Sequence, residues 1–492
     1  MKESLLLMIP ILLPVLAGVL LFVMPEFKNR KVLCAYVGAA LVLIGGFVLW
    51  NLVGDAEGFV LFYLTKTLPI YFKLDGMGKI FLAIVTLVWI IAGFFSFEYM
   101  KHEQNEKRYY GFYLVVYGVL IGLNASGNLV TFYLFYELMT LTSLPMVLHT
   151  GTREALLAGL KYLLYSLCGA YMVLFGLYFV YRYGNTLTFT AGGVLNMELS
   201  AGHETLLLVC AMLMIVGFGV KAGMFPLHAW LTAAHPVAPA PASAVLSGII
   251  VKGGVLGIIR VVFYIFGADF LNGTWVQKTW IVLTLLTVFM GSLMAYREKV
   301  LKRRLAYSTI SQVSYILFGL AMMNPASMEG ALLHAICHAF TKCGLFLAAG
   351  AIIYKTGKTR VNELRGIGKE MPVTIWCFTF LSLTLIGIPP TGGFLSKWYL
   401  GIGSLETGIS VVCWLGPVIL LISALLTAGY LLPITVNGFL PGADYDYNAL
   451  QKKEPNLVML IPLILLTIVA VGMGLFPDAI LGVIESAGGG IL

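Results

Sequence analysis

Seven side chains able to hold or pass a proton lie inside long apolar runs of this sequence: Glu137, Lys221, Lys252, His334, His338, Lys342 and Lys397. Insertion scales put a charge at the bilayer centre at about 2.5–3.5 kcal/mol, so ionisable groups retained there point to function. Glu137 sits in Phe132-Tyr133-Leu134-Phe135-Tyr136-Glu137-Leu138-Met139 without a charged neighbour in sequence, so its partner must come from another helix. Lys221 lies in Val216-Gly217-Phe218-Gly219-Val220-Lys221-Ala222-Gly223-Met224-Phe225-Pro226, just ahead of a proline that must interrupt the helix. Burial disfavours an ammonium and a nearby carboxylate restores it. A Glu137–Lys221 pair of adjustable distance is therefore a proton switch. A static ion pair and a packing lysine are the plainer alternatives.

Lys252 falls in Ser247-Gly248-Ile249-Ile250-Val251-Lys252-Gly253-Gly254, where the glycines leave room for water or a close helix. Lys397 follows Pro389-Pro390-Thr391-Gly392-Gly393, a second place where a helix must break. His334, His338 and Lys342 are spaced by four, which stacks them along one helix face. A metal site is the weaker reading of this trio. Cys337 points off that face, no acid lies nearby, and the glutamate of HExxH is absent. A proton wire of histidines ending on a lysine fits better, because imidazole titrates near neutral pH. His228 and His235 flank the cytoplasmic end of the first broken span and suit the uptake of cytoplasmic protons; loop polarity is the alternative. Lys161 and Arg260 lie near span ends, where long side chains reach the interface. No phosphate-cradling glycine loop, nucleophile constellation or CxxCH occurs, and no residue is read as catalytic. The seven cysteines are scattered through apolar runs without a CxxC, as small buried residues.

The elements that must position these groups follow from composition. Of 492 residues, 60% are hydrophobic and 11% charged, against about 25% charged in a soluble domain. Mean hydropathy is +0.93. The chain is an all-α polytopic membrane protein forming a single transmembrane domain. A bilayer-crossing helix needs about 20 apolar residues. Fourteen segments qualify: 4–24, 32–52, 78–98, 109–124, 128–148, 157–181, 206–228, 243–266, 276–296, 305–323, 330–354, 373–404, 409–434 and 456–476. The first is read as a span and not a removable signal, because it holds Pro10 and Pro14 and is followed by a basic turn. Lys and Arg number 19 in the loops after odd-numbered spans and 6 on the other side. The odd loops are therefore cytoplasmic and both termini face outward. The net charge of +8 is a topology signal and gives no reason to invoke nucleic acid. The seventh and twelfth spans are both broken at Pro and Gly, and each carries a lysine beside the break. Paired interruptions mark inverted-repeat transporters. Spans 4–8 (109–266) and 9–13 (276–434) are expected to form the two five-helix repeats.

Three stretches carry a resemblance: VKAGMFPLHAWLTAAHPVAPAPASAVLSGIIVKGG around Lys221 to Lys252, HAICHAFTKCGLFLAAG from His334 to Gly350, and GIPPTGGFLSKW from Gly387 to Trp398. With these in order over nearly its whole length, the chain resembles the antiporter-like subunit family. That family is shared by respiratory complex I, Mrp-type multisubunit cation/proton antiporters and membrane-bound energy-converting nickel–iron hydrogenases. The resemblance implies fourteen helices, two inverted repeats with broken helices 7 and 12, and a chain of protonatable residues and water across the membrane plane. Matched by motif, Glu137 resembles the family's fifth-helix glutamate and Lys221 its seventh-helix lysine partner. Lys252 resembles the eighth-helix bridging lysine. His334, His338 and Lys342 match the eleventh-helix connection, and Lys397 the twelfth-helix exit residue. Thr232 and Ala233 stand where the family often has Pro-Asp, so a role for an acid in that loop does not carry over. Residues 477–492 after the last span are too few for the long lateral helix of the family's largest member.

The implied function is a proton-translocating subunit of a redox-driven multisubunit complex. The HPVAPAPASAVLSG wording most resembles hydrogenase-linked or ferredoxin-linked complexes. Iron–sulfur clusters, and nickel–iron if the complex is a hydrogenase, belong to partner subunits; this chain has no evident ligand set for a cofactor. The alternative is a subunit of an Mrp-type Na+/H+ antiporter with no redox partner. A structural anchor with a dead channel is a third reading, and the joint retention of Glu137, Lys221, Lys252 and Lys397 speaks against it. The implied partners are other membrane subunits, membrane lipids and protons, with Na+ left open. The implied location is the prokaryotic plasma membrane.

Overall fold

The structure is a computed structural model that describes residues 2–54, 57–443, 445–446 and 451–488. Leaving aside one-turn pieces, its helices are α1 (Lys2–Val23), α2 (Arg30–Val53), α3 (Gly76–Tyr99), α4 (Glu106–Asn124), α5 (Leu129–Val147), α6 (Arg153–Tyr183), α7 (Glu204–Ala222) and α8 (Ala229–Val237). They continue as α9 (Ala240–Phe266), α10 (Trp275–Arg297), α11 (Leu301–Met322), α12 (Pro325–Thr356), α13 (Pro372–Ile386), α14 (Gly392–Leu405), α15 (Ser410–Phe439), α16 (Leu457–Leu475) and α17 (Asp478–Gly488). Side-chain caps fix several starts. Asp75 accepts from the Gly78 N–H at α3, Asn128 from Thr131 at α5, and Asn324 from Ser327 at α12.

Among the described residues, 12 helices are long and apolar enough to cross a membrane. Of the fourteen expected spans, the fourth corresponds to the more polar α4, and the twelfth to the pair α13 and α14, each short on its own. The seventh span is broken as expected, and its second part extends beyond the expected 206–228. Its helix stops at Ala222, where Gly223 takes a left-handed conformation (φ 79°), and resumes at Ala229 as α8. Helix α9 is not uniform: Leu246–Ile250 and Arg260–Phe266 are π-helical. Such stretches are frequent at functional sites.

The sequence reading missed a hairpin. Strands β1 (Phe59–Thr65) and β2 (Leu68–Phe72) pair antiparallel with Phe59 opposite Phe72. Helices α9, α11 and α12 are buried along nearly their whole length and form the centre of the molecule. Helices α1, α2, α6 and α15 turn Leu16, Trp50, Leu160 and Leu425 outward, an apolar rim suited to lipid. Arg260 does not reach out to the surface as its place near a span end suggested. Its guanidinium is buried and clamps Asp75 through bonds of 2.5 and 2.7 Å, between the rings of Phe189 and Tyr264. A bidentate partner at the start of α3 offsets the cost of that burial. Lys161 is exposed on α6.

Candidate ion-translocation site

Lys221 occupies the last turn of α7 and is fully buried. Its ammonium donates to Thr140 Oγ1 on α5 at 2.8 Å, and to Tyr162 OH and Ser166 Oγ on α6 at 2.9 Å each. Three N–H donors thus meet three hydroxyl oxygens. The ring centroids of Tyr162 and Trp230 stand 4.3 and 5.7 Å away. The Trp230 indole of α8 donates to the Val220 carbonyl at 2.7 Å, which ties the two halves of the broken helix together. Glu137 lies on the same face of α5, one turn before Thr140. It is half-buried, Oε1 has no hydrogen-bond partner, and no ion pair joins it to Lys221. The expected pair is open here, with the lysine held by hydroxyls.

Lys252 follows the first π-helical stretch of α9 and is buried. Nζ donates to the Ser247 carbonyl at 3.2 Å and meets His338 Nδ1 at 2.5 Å. Gly254 presses α9 onto α7. A Cβ there would stand 2.6 Å from Phe218 O and 3.1 Å from Lys221 Cβ. Only glycine allows the helix of Lys252 this close to the helix of Lys221.

His334 and His338 share one face of α12, with ring centroids 6.2 Å apart. His334 joins Gln312 Oε1 of α11 through Nε2 at 3.1 Å and Ser396 Oγ of α14 through Nδ1 at 2.9 Å. Ser396 adjoins Lys397. The Lys397 ammonium folds back to the Leu385 and Ile386 carbonyls, at the end of α13, at 2.7 Å each. It stands 5.0 Å from the Tyr315 ring centroid. Lys342 does not end the histidine line as the one-face spacing suggested. It donates to Ser308 Oγ at 2.7 Å and Leu305 O at 3.1 Å, both on α11. Ser308 also accepts from Tyr430 OH of α15 at 2.6 Å. The line therefore divides: His338 meets Lys252, and Lys342 belongs to a branch with Ser308 and Tyr430.

The two histidines set apart for cytoplasmic protons lie differently from each other. His228 is half-buried in the break between α7 and α8, its ring centroid 5.9 Å from that of Phe225. His235 is no loop residue. It sits in α8, fully buried and stacked on Phe346 at 4.6 Å, with both ring nitrogens lacking a partner among the described residues. The helix resumes after the break because Ala229–Val237 packs against α6 and α11.

Sequence reasoning missed the neutral partners: Thr140, Tyr162, Ser166, Gln312, Ser396, Ser308 and Tyr430. One signal was present, since Tyr162 and Ser166 are four apart and share a face of α6. Each lysine here has hydroxyl, imidazole or carbonyl partners in place of a carboxylate. Such partners can orient an ammonium, and the hydroxyls and imidazoles can also accept or pass on its proton.

The chain is similar to known proteins over most of its length. The family model described as NADH:quinone oxidoreductase/Mrp antiporter, TM, matches residues 126–427. A second, described as the N-terminus of chain 5 of NADH-ubiquinone oxidoreductase (complex I), matches residues 64–110. The chain is 32% identical over 392 residues to an NADH-quinone oxidoreductase subunit of Desulforudis audaxviator, covering 77% of this chain and 76% of that one. It is 28% identical to a Na(+)/H(+) antiporter subunit of Bacillus subtilis, covering 88% and 86%. It is 29% identical to a hydrogenase-4 component of Escherichia coli, covering 81% of this chain and 61% of that one. In fold, it is similar to a chain of the Mrp complex of Dietzia sp. (TM-score 0.85, 22% identity, 100% and 98% covered). It is similar to the same degree to a chain of an archaeal membrane-bound sulfane sulfur reductase (TM-score 0.85, 22% identity, 100% and 97% covered). The chain belongs to the NADH:quinone oxidoreductase/Mrp antiporter transmembrane family. It is a multi-pass, antiporter-like subunit of the kind found in complex I, Mrp and hydrogenase-type membrane complexes.

Proposed function

We propose that this chain translocates protons within a redox-driven membrane complex, with the redox reaction and its iron–sulfur or nickel–iron groups housed in partner subunits. One observation carries the reading. Buried basic groups follow one another from Lys221 through Lys252, His338 and His334 to Lys397: Lys221, Lys252, His334 and Lys397 each bond a neutral hydroxyl, carbonyl or amide oxygen, and His338 bonds Lys252. Glu137 is the acid that can draw on Lys221 at one end, and Lys397 beside the second broken helix is the exit group at the other. Lys342 branches from this line toward α15, and His228 and His235 serve proton uptake from the cytoplasm. The chain lies in the plasma membrane of a prokaryote, with both termini outward and two inverted five-helix repeats, 109–266 and 276–434.

A second reading, a subunit of an Mrp-type Na+/H+ antiporter, is favoured by the match to the Bacillus subtilis antiporter protein over 88% of the chain. Copurification separates the two. Mild-detergent isolation from native membranes should bring down hydrogenase or iron–sulfur subunits. Recovery of small membrane subunits alone, with Na+-dependent proton release from vesicles, would select the antiporter instead.

A further inference from the structure

The hydroxyl cage around Lys221 has an internal direction. Ser143 Oγ donates to the Met139 carbonyl at 2.6 Å and lies 2.7 Å from Tyr162 OH. With its own proton committed to that carbonyl, Ser143 accepts from the Tyr162 hydroxyl. The lone pairs of the Tyr162 oxygen are thereby left for the Lys221 ammonium at 2.9 Å. Thr140 and Ser166 complete the three acceptors. One turn away on α5, Glu137 Oε1 is buried and without a partner. A flexible four-carbon stem spans one helical turn, which rises about 5.4 Å. Two places compete for one ammonium: a neutral cage that satisfies all three of its donors, and a carboxylate that supplies charge.

We propose that Thr140, Tyr162 and Ser166 form a neutral parking site that holds the Lys221 ammonium away from Glu137, and that Ser143 is the positioning residue that keeps the Tyr162 oxygen turned toward it. The inference rests on the reading of Lys221 as part of the proton path, and deepens it. The cage makes the open state of the pair a defined, hydrogen-bonded position. The groups facing Lys221 are Glu137, Tyr136 and Thr140 of α5, Tyr162 and Ser166 of α6, and Trp230 of α8. Among the described residues Glu137 is the charge whose field reaches it. The branch at Lys342 uses the same device: Ser308 receives the ammonium and the Tyr430 hydroxyl together.

The test uses the intact complex carrying Tyr162→Phe with Ser166→Ala. A hydrogen bond to a charged group is strong enough that losing two acceptors should shift the balance toward Glu137 by at least about tenfold. Cryo-EM at side-chain resolution should then place Lys221 Nζ within ion-pair distance of Glu137. Nζ remaining by Thr140, or moving away from both sites, overturns the proposal. Proton uptake gives a second readout. Ser143→Ala should slow it, and should add nothing further in a Tyr162→Phe background, because both act through one oxygen. Additive losses would mean packing roles and would also overturn it. Failure of the underlying reading looks different: Lys221→Met would pump normally, whatever the position of Lys221 in the wild-type complex.

Discussion

Lys397→Arg keeps a positive charge at the second broken helix and removes the ability to release a proton, since a guanidinium stays protonated in proteins. The lysine makes two 2.7 Å bonds to the Leu385 and Ile386 carbonyls. Hydrogen bonds to a charged group contribute about 1.5–3 kcal/mol each. Lys397→Met, which loses both, should therefore destabilise the complex by at most about 3–6 kcal/mol. Arginine can remake at least one of the bonds, so its loss stays under about 3 kcal/mol. The assay is proton uptake by proteoliposomes at equal complex content, with thermal midpoints measured in parallel. The Arg variant should assemble at wild-type yield yet lose at least about tenfold in uptake, equivalent to about 1.4 kcal/mol of barrier. Redox turnover of its partners should persist, uncoupled or slowed. An Arg variant that pumps like wild type refutes the reasoning. Lys397 would then only neutralise the carbonyl end of α13, a constant-charge role.

Three further outcomes are expected. Glu137→Gln should assemble near normally, because a neutral amide is less costly to bury than an unpaired carboxylate, while ion translocation in reconstituted complex drops severely; normal translocation would remove Glu137 from the path. Single cysteines placed in 297–304 and 355–369 should resist membrane-impermeant thiol reagents in intact cells, and labelling from outside would reverse the assigned topology. His149, in the turn between α5 and α6, is pushed down to about 4 by burial, reinforced by the charge of Arg108. The unfolded chain takes up that proton near pH 6.5. The folded state thus binds fewer protons between those values, and stability should be complete above about pH 6.5 and decline as the pH falls toward 4. Thermal midpoints of the complex across this range should flatten in His149→Gln; unchanged slopes would contradict the assignment.

The sequence alone determined that this chain crosses a membrane many times. Length and hydropathy of a span are local properties, and 60% hydrophobic residues leave no soluble alternative. It also determined where two helices break, because proline and glycine act on their own backbone: Pro226 and Pro389-Pro390-Thr391-Gly392-Gly393 mark breaks found at 223–228 and 387–391. The cost of burying charge singled out Glu137, Lys221, Lys252 and Lys397 before any neighbour was known. Which partner each charge meets was decided by tertiary structure. Lys221 reaches hydroxyls 55 to 81 positions away, and Lys252 a histidine 86 positions away. Serine, threonine and tyrosine are frequent in spans, and even a shared face, as for Tyr162 and Ser166, does not say which of them meets a lysine and which bonds its own helix. Arg260 shows the same limit, since its place near a span end could not reveal Asp75 at 185 positions' distance. The hairpin at 59–72 depends on pairing between its two strands, which its apolar run does not reveal. A charge buried in a span announces itself through its own desolvation, whereas a neutral partner acquires meaning only when packing brings it within hydrogen-bond distance.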